Sequence, residues 1–299
     1  MNYKKIIVSR RLRFAVLKML SFVPDSLMVR IQYFIKLHRW PNLRHPQRFT
    51  EKLQWYKLHY RNPLMGQCVD KYLVRNYIEA KGYKNILNEL YGVYEDISHV
   101  DLSALPKKFV MKKSDGLGAG NYVLLCKDKD ELDTVAIRRI LETWQRESRI
   151  NPGREWAYNA CQKSYIVVEK FIESDIENGG LIDYKFLCFN GRCQYVYVIA
   201  DREMGDKCGL NIYTRDFVKI DAYRSDEKRL DRDILKPDNY LEMLSIAEDL
   251  AHDFLHVRVD LYSVHHHIIF GELTFYDGSG YQSYTPDSFD FELGKDWII

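Results

Sequence analysis

The chain has 299 residues, 46% hydrophobic and 29% charged, enough to bury a sizeable core and to form about two domains. That balance excludes disordered, collagenous and low-complexity architectures. Lys and Arg number 44 against 42 Asp and Glu, a net +2, so bulk charge speaks against a protein that coats nucleic acid, and no nucleic-acid partner is expected. The average conceals an asymmetry. Residues 1–40 hold nine basic side chains against Asp25 alone, a local +8 that leaves −6 for the remainder, so a basic head precedes a neutral-to-acidic body.

The six cysteines (Cys68, Cys126, Cys161, Cys188, Cys193 and Cys208) form no Cys-x-x-Cys and no compact framework, the pattern of reduced thiols in a cytoplasm. The apolar stretch from Phe14 to Val23 is interrupted by Lys18 and leads to no small-residue cleavage site. No segment approaches the roughly 18 uninterrupted apolar residues of a spanning helix. A cytoplasmic protein is expected.

In chain order, Leu12, Val16, Leu17, Leu20 and Val23 recur at helical spacing, Pro24-Asp25-Ser26 restarts the chain, and Leu27, Ile31, Phe34 and Ile35 form a second stripe. Two readings stand side by side: a helical hairpin packed on the body, or a basic amphipathic surface resting on an anionic membrane face. A helix is predicted over Glu51–Tyr60 with Thr50 as N-cap, and another from about Val69 to Lys81, stopped by Gly82. Phe109–Met111 reads as a strand entering the glycine-rich turn Asp115–Gly120, and Tyr122–Cys126 as the returning strand. Asp130–Trp144 is helical and Tyr165–Ile172 is a strand. Tyr184–Phe189 pairs with Gln194–Ala200 over Asn190-Gly191, a strong hairpin signal. Pro237-Asp238-Asn239 opens a helix to about Leu255, and Val257–Val264 with Ile268–Phe275 forms a last hairpin over His265–His267. Helices interleaved with antiparallel hairpins predict an α+β fold.

Three segments carry candidate chemistry. Lys112 leaves its strand just before Gly116, Gly118 and Gly120; glycines let backbone N–H groups approach phosphate oxygens and a lysine supplies the point charge. Val257-Arg-Val-Asp-Leu261 and Phe270-Gly-Glu-Leu-Thr274 place Arg258 and Asp260 on one strand face and Glu272 and Thr274 on one face of the partner strand. Two carboxylates and a hydroxyl suit Mg²⁺; without a metal the same residues form an ion-pair cluster around Arg258, since bare carboxylates would repel. Ile166-Val-Val-Glu-Lys-Phe-Ile172 ends in charges, which reads either as an adenine-binding edge or as an edge strand protected by charge.

Together these segments resemble the ATP-grasp superfamily. PQRFTEKLQWYK (46–57), CVDKYLVR (68–75), ELYGVYED (89–96), LIDYKFLCFNGR (181–192) and VRVDLYSV…FGELTF (257–275) resemble its TupA-like family, associated with bacterial surface-polysaccharide gene clusters, over roughly residues 40–295. The resemblance implies an ATP-grasp fold in which two α+β subdomains clasp ATP. It divides the chain into a basic helical segment (1–45), a helical region (46–105), a lid subdomain (106–175) and a C-terminal subdomain with the metal site (176–299). It implies that Lys71 and Lys112 contact ATP phosphates under a lid of Gly116, Gly118 and Gly120. Glu169 and Phe171 would hold the adenine, and Glu173 or Asp175 the ribose. Lys185 and Arg202 would face the reacting phosphoryl group, Asp260, Glu272 and Thr274 would bind Mg²⁺, and Arg258 would stabilise the transferring charge. Thr274 stands where relatives usually carry Asn, and Asp115-Gly-Leu-Gly where they commonly carry His-Gly-Ser-Gly. The implied activity is ATP-dependent joining of an amino acid or other amine to a uronic acid of a capsule or O-antigen glycan. A glycosyltransferase using Asp231-Arg-Asp233, or a non-catalytic scaffold at the membrane, is the alternative.

Overall fold

The computed structural model describes residues 19–116, 122–147, 151–161, 163–175, 180–201 and 208–299. Most of the first apolar stripe lies outside them, as do Gly118, Gly120 and Arg202. Helix α1 (Asp25–Leu37) buries Met28, Val29 and Tyr33, and the Tyr33 hydroxyl meets Thr50 Oγ1 at 2.9 Å. The anticipated stripe faces the other way, with Leu27 49% exposed and Phe34 and Ile35 each 41% exposed. This helix is apolar on both sides, and the side carrying the tyrosine hydroxyl docks because that hydroxyl finds a buried partner.

Helix α2 (Phe49–His59) starts earlier than predicted. Glu51, not Thr50, caps it, accepting from the backbone N–H groups of Asn42, Gln47 and Arg48. Thr50 lies inside the helix and donates through both its N–H and its hydroxyl to Asp290. Of the helix predicted over 69–81 only α4 (Val74–Ala80) forms, and a short helix that was not predicted, α3 (Leu64–Cys68), precedes it. Asp70 divides them, because its Oδ1 accepts from Tyr72 N and Leu73 N at 2.9 Å, an Asx turn that competes with helix.

The smaller sheet contains β1 (Leu90–Tyr94), β2 (Phe109–Lys113), β3 (Val123–Cys126) and, after α5 (Thr134–Arg146) and α6 (Trp156–Asn159), β4 (Ile166–Lys170). Its order is β1–β4–β2–β3, antiparallel throughout. Phe109, Met111, Ile166 and Val168 pack with Ile137, Leu141 and Trp144 of α5 in one core. Alternation along the strands then turns Lys112 and Glu169 to the opposite face. Strand β1 was missed in the sequence because Gly92 interrupts a short, half-buried run.

The larger sheet is built from β5 (Asp183–Phe189), β6 (Arg192–Ala200), β7 (Gly209–Thr214) and β8 (Lys219–Ile220), followed in the chain by β9 (Tyr223–Arg224), α7 (Tyr240–Ala251), β10 (His256–Val264) and β11 (His267–Thr274). It runs β11–β10–β5–β6–β7–β8. Tight turns with Asn190 and Gly191, and with His265 and His266, at positive φ close two of its hairpins, β5–β6 and β10–β11. Val257, Val259 and Leu261 enter the main core with α7. Pairing shifts between Asp260 and Leu261, where Asp260 faces Glu272 but Leu261 faces Phe270. Gly271 is thus the extra residue of a β-bulge that keeps Glu272 beside Asp260. Strand β12 (Tyr284–Thr285) pairs with β9, and α8 (Ser288–Lys295) packs on α2.

The Asp70 turn also receives the Ser114 hydroxyl at 2.6 Å, tying α3 and α4 to the end of β2. Asp70→Ala should therefore destabilise the fold by about 2–3 kcal/mol, read as a lowered urea midpoint with unchanged slope. A loss below about 0.5 kcal/mol, the range of ordinary surface substitutions, would show that the turn forms without its carboxylate.

Candidate functional site

On the free face of the smaller sheet, Lys112 donates to Glu169 Oε2 at 2.6 Å, and Arg75 of α4 reaches Oε1 at 3.4 Å. Glu169 is buried, so its charge depends on these two cations. Lys71 follows the Asp70 turn; its backbone N–H donates to Ser114 O at 2.9 Å and its amine to Gly116 O at 3.0 Å. Both lysines are half-buried and engaged, rather than projecting freely into solvent. Burial pushes the Lys71 amine below the usual lysine range, while Glu272 opposes that shift and Lys112 adds to it.

Phe171 is half-buried just beyond β4. Glu173 pairs with Lys108 at 2.7 Å, and Asp175 accepts the backbone N–H of His265 at 2.7 Å. These three residues lead out of the smaller sheet towards the tip of the β10–β11 hairpin.

The second group occupies the larger sheet on the face opposite α7. Asp260 lies beside Glu272 on one side and Lys185 on the other, and Arg258 beside Thr274. Arg258 holds Asp260 in a two-point contact, Nε and Nη2 each at 2.7 Å, and its Nη2 also reaches Glu272 and Thr274 at 3.1 Å. Lys185 bonds Asp260 and lies 2.9 Å from Asp183. The expected repulsion between Asp260 and Glu272 is therefore offset by two cations set among them. Burial raises the Asp260 carboxyl, Arg258 and Lys185 pull it back, and Glu272 adds to the rise. Burial acts on Glu272 in the same direction, but Lys185, Arg258 and Lys71 outweigh it and hold that carboxyl at about 2.

One buried residue in this group was not singled out in the sequence. Asp277, three residues after Thr274, bonds Arg258 Nη1 and accepts from Arg224 Nη1 at 3.1 Å. It opens a turn in which Gly278, Ser279 and Gly280 all have positive φ. Gln54 and Lys57 of α2 clamp that turn by donating to the carbonyls of Ser279 and Gly280. The signal for it is Asp277-Gly-Ser-Gly280, since two closely spaced glycines after an acid mark backbone that β-strands cannot supply. By contrast, Asp231-Arg-Asp233 takes no part here: Asp233 pairs with Lys219 and Arg232 with Asp201.

Burial raises the Asp277 carboxyl, and Arg224, Arg258 and Lys185 more than reverse this, to about 2. Because Glu272 and Asp277 both lie below their ordinary values of 4.5 and 3.8, the stability they confer is complete above that range and is lost as pH falls towards 2. Asp277→Asn should cost about 3–5 kcal/mol at pH 7 by leaving two buried guanidiniums short of counter-charge. In urea titrations that gap should narrow as pH drops from 4 to 2; a pH-independent gap would contradict the assigned charge state.

The TupA-like ATPgrasp family model matches residues 51–298. No curated protein matches the chain. Among solved structures, an L-amino acid ligase from Bacillus licheniformis aligns at 16% identity and TM-score 0.45 over 87% of this chain and 57% of its own. A D-alanine–D-alanine ligase from Bacillus anthracis complexed with ATP aligns at 15% and 0.40 over 70% and 54%. An ADP complex of N5-carboxyaminoimidazole ribonucleotide synthetase aligns at 15% and 0.41 over 75% and 50%. The chain thus spans about half the length of these structures, and at such scores the family model alone carries the assignment.

Proposed function

The chain belongs to the TupA-like ATP-grasp family, and we propose that it is an ATP-dependent carboxylate–amine ligase. The observation that carries this reading is the single face of the larger sheet on which Asp260, Glu272 and Thr274 are held beside Arg258 and Lys185. In the proposed reaction a carboxylate takes the γ-phosphoryl group of ATP as an acyl phosphate. An amine then attacks the acyl carbon, releasing phosphate and forming the amide. The work of the protein is positioning and charge neutralisation. Lys71, Lys112 and the Gly116 backbone hold phosphate oxygens. Glu169 and Phe171 hold the adenine, and Glu173 or Asp175 the ribose. Lys185, beside Asp260, is assigned to the phosphoryl group, as is Arg202, which lies outside the described residues.

Asp260, Glu272 and Thr274 are hard oxygen donors and fit Mg²⁺, which commonly takes one or two carboxylates plus phosphate oxygens. Among the described residues no group of three or more His, Cys, Asp or Glu forms a metal site; Mg²⁺ characteristically keeps several waters beside such carboxylate and phosphate oxygens. When bound, the ion would supply positive charge against the phosphate oxygens. Arg258 directs its donors to Asp260, Asp277, Glu272 and Thr274, and so presents those oxygens in a fixed array as well as countering the transferring charge.

The carboxylate is proposed to be a uronic acid of a capsule or O-antigen glycan, and the amine an amino acid. Work at the inner face of the membrane fits the exposed row Leu27, Phe34 and Ile35, with Trp40 stacked on Phe34, within the basic first 40 residues of the sequence. Among the described residues no helix is long and apolar enough to cross a membrane. The lid and C-terminal subdomains, residues 106–175 and 176–299, belong to the same reading.

Lys71→Met and Lys112→Met should each weaken MgATP binding by about 1.5–3 kcal/mol in calorimetry; unchanged affinity in both would sink the nucleotide site. Glu272→Gln should stay folded yet lose ADP release, because an amide holds Mg²⁺ poorly. It should also be slightly less stable than wild type near pH 7, since a carboxyl held at about 2 is favoured as the anion. Wild-type turnover by this variant would rule out the carboxylate pair.

Membrane binding has its own check. The wild-type chain should sediment with vesicles containing phosphatidylserine, and less so in high salt. Phe34→Ser and reversal of Lys4, Lys5, Arg10, Arg11 and Arg13 to Glu should each abolish it. Salt-independent sedimentation would remove the basic head from the account.

A further inference from the structure

Arg224, the second cation on Asp277, has no part in the proposed reaction. It is 6% exposed, with its guanidinium carbon 5.6 Å from the Tyr197 ring centre. One edge of the guanidinium meets Asp277. The other makes a forked contact with Asp226, Nε to Oδ1 at 3.1 Å and Nη2 to Oδ2 at 2.8 Å. That fork is the arrangement in which an arginine receives a carboxylate ligand. Asp226 is an easily displaced occupant, because its side chain is 48% exposed and residues 225–229 are all exposed. Beside it lies Gln282, 2% exposed. Its amide nitrogen reaches Asp277 and the Tyr284 hydroxyl at 3.4 and 3.2 Å, while its Oε1 has no partner among the described residues. A buried acceptor left over in this way calls for a donor from elsewhere. Gly278 packs against both groups; a Cβ there would come within 2.6 Å of Gln282 Oε1 and 3.3 Å of Arg224 Nη2.

We propose that Arg224 and Gln282 form the receptor for the carboxylate and a neighbouring hydroxyl of a sugar acid, with Asp226 as the side chain that the ligand displaces. This rests on the ligase reading and names where its carboxylate substrate binds. Asp277 bonds both Arg258 and Arg224, so a single carboxylate separates this receptor from the guanidinium that holds Asp260 and Glu272. A sugar acid on Arg224 is thereby set next to the proposed phosphoryl-transfer groups, and its hydroxyl supplies the donor that Gln282 Oε1 lacks.

The test is calorimetric titration of D-glucuronate, with D-glucose as the neutral control, into wild type, Asp226→Ala and Arg224→Met, all without nucleotide. Removing the competing carboxylate should strengthen glucuronate binding about tenfold, the low end for a charge-assisted hydrogen bond. Arg224→Met should abolish it, and glucose should not bind any of the three. Equal affinity in Asp226→Ala and wild type, no glucuronate binding by Asp226→Ala, or retained binding in Arg224→Met would each overturn the proposal. Asp226 is a surface residue, so its variant decides the matter even if Arg224→Met fails to fold. A parallel MgATP titration of the wild type separates the two readings: no ATP binding sinks the ligase, whereas unaltered glucuronate affinity in Asp226→Ala sinks the receptor alone.

Discussion

Buried charge is the constraint on which the larger sheet depends. Lys185, Asp260, Arg258, Asp277 and Arg224 form an alternating chain in which every member is less than a tenth exposed. Each of these ions would be costly alone in the interior, by several kcal/mol even after relaxation. They persist because each carboxylate is flanked by cations and each guanidinium by carboxylates. The sheet accommodates this by parity, with Arg258, Asp260, Lys185, Glu272 and Thr274 sharing one face while Val257, Val259 and Leu261 fill the core on the other. Charge and hydrocarbon are thus separated by one peptide unit along a single strand.

The smaller sheet solves a related problem with fewer groups. Its inner face packs against α5, and its outer face carries one buried carboxylate, Glu169, between Lys112 and Arg75. Asp70 and Lys71 then fasten the helical region to the end of β2 through Ser114 and Gly116. Both lysines therefore hold their places through partners within the protein. Binding an anion there exchanges one set of oxygens for another instead of ordering a loose side chain, which reduces the entropy lost.

Much of the fold could be read directly where period and turn chemistry agree. The Asn190-Gly191 hairpin and the terminal hairpin over His265–His267 both follow from alternation broken by residues that tolerate positive φ. Alternation likewise put Arg258 with Asp260, and Glu272 with Thr274. Other elements escaped for identifiable reasons. The helical spacing of Val69, Leu73, Val74, Tyr77 and Ile78 concealed the Asx turn at Asp70, because period alone does not register a side chain competing for backbone donors. The orientation of α1 was illegible because both of its sides are apolar. Arg75, Asp277 and Arg224 reach the site across 94, 19 and 53 residues of chain, and no local pattern announces partners at such separation. The TupA-like resemblance reached the family, but it carried no information on which cations neutralise Asp260 and Glu272.

Gly271 gives the terminal hairpin one residue more on one side than on the other, eight from His267 to Thr274 facing seven from Arg258 to Val264. Strand faces alternate with strict parity, so the extra residue has to be tucked out of the count. Up to it, pairing counted from the tip sets Leu261 against Phe270; beyond it, Asp260 meets Glu272. Were the bulge to flatten, so that Gly271 itself paired with Asp260, Glu272 would fall opposite Val259 and Thr274 opposite Val257. The acid and hydroxyl would then exchange faces with Leu273 and Phe275, as in a reading-frame error. Deleting Gly271 would do the reverse, because Phe270 and Glu272 would become successive residues of a regular ladder and keep their present partners. The frame of the hairpin thus depends on its smallest residue staying uncounted.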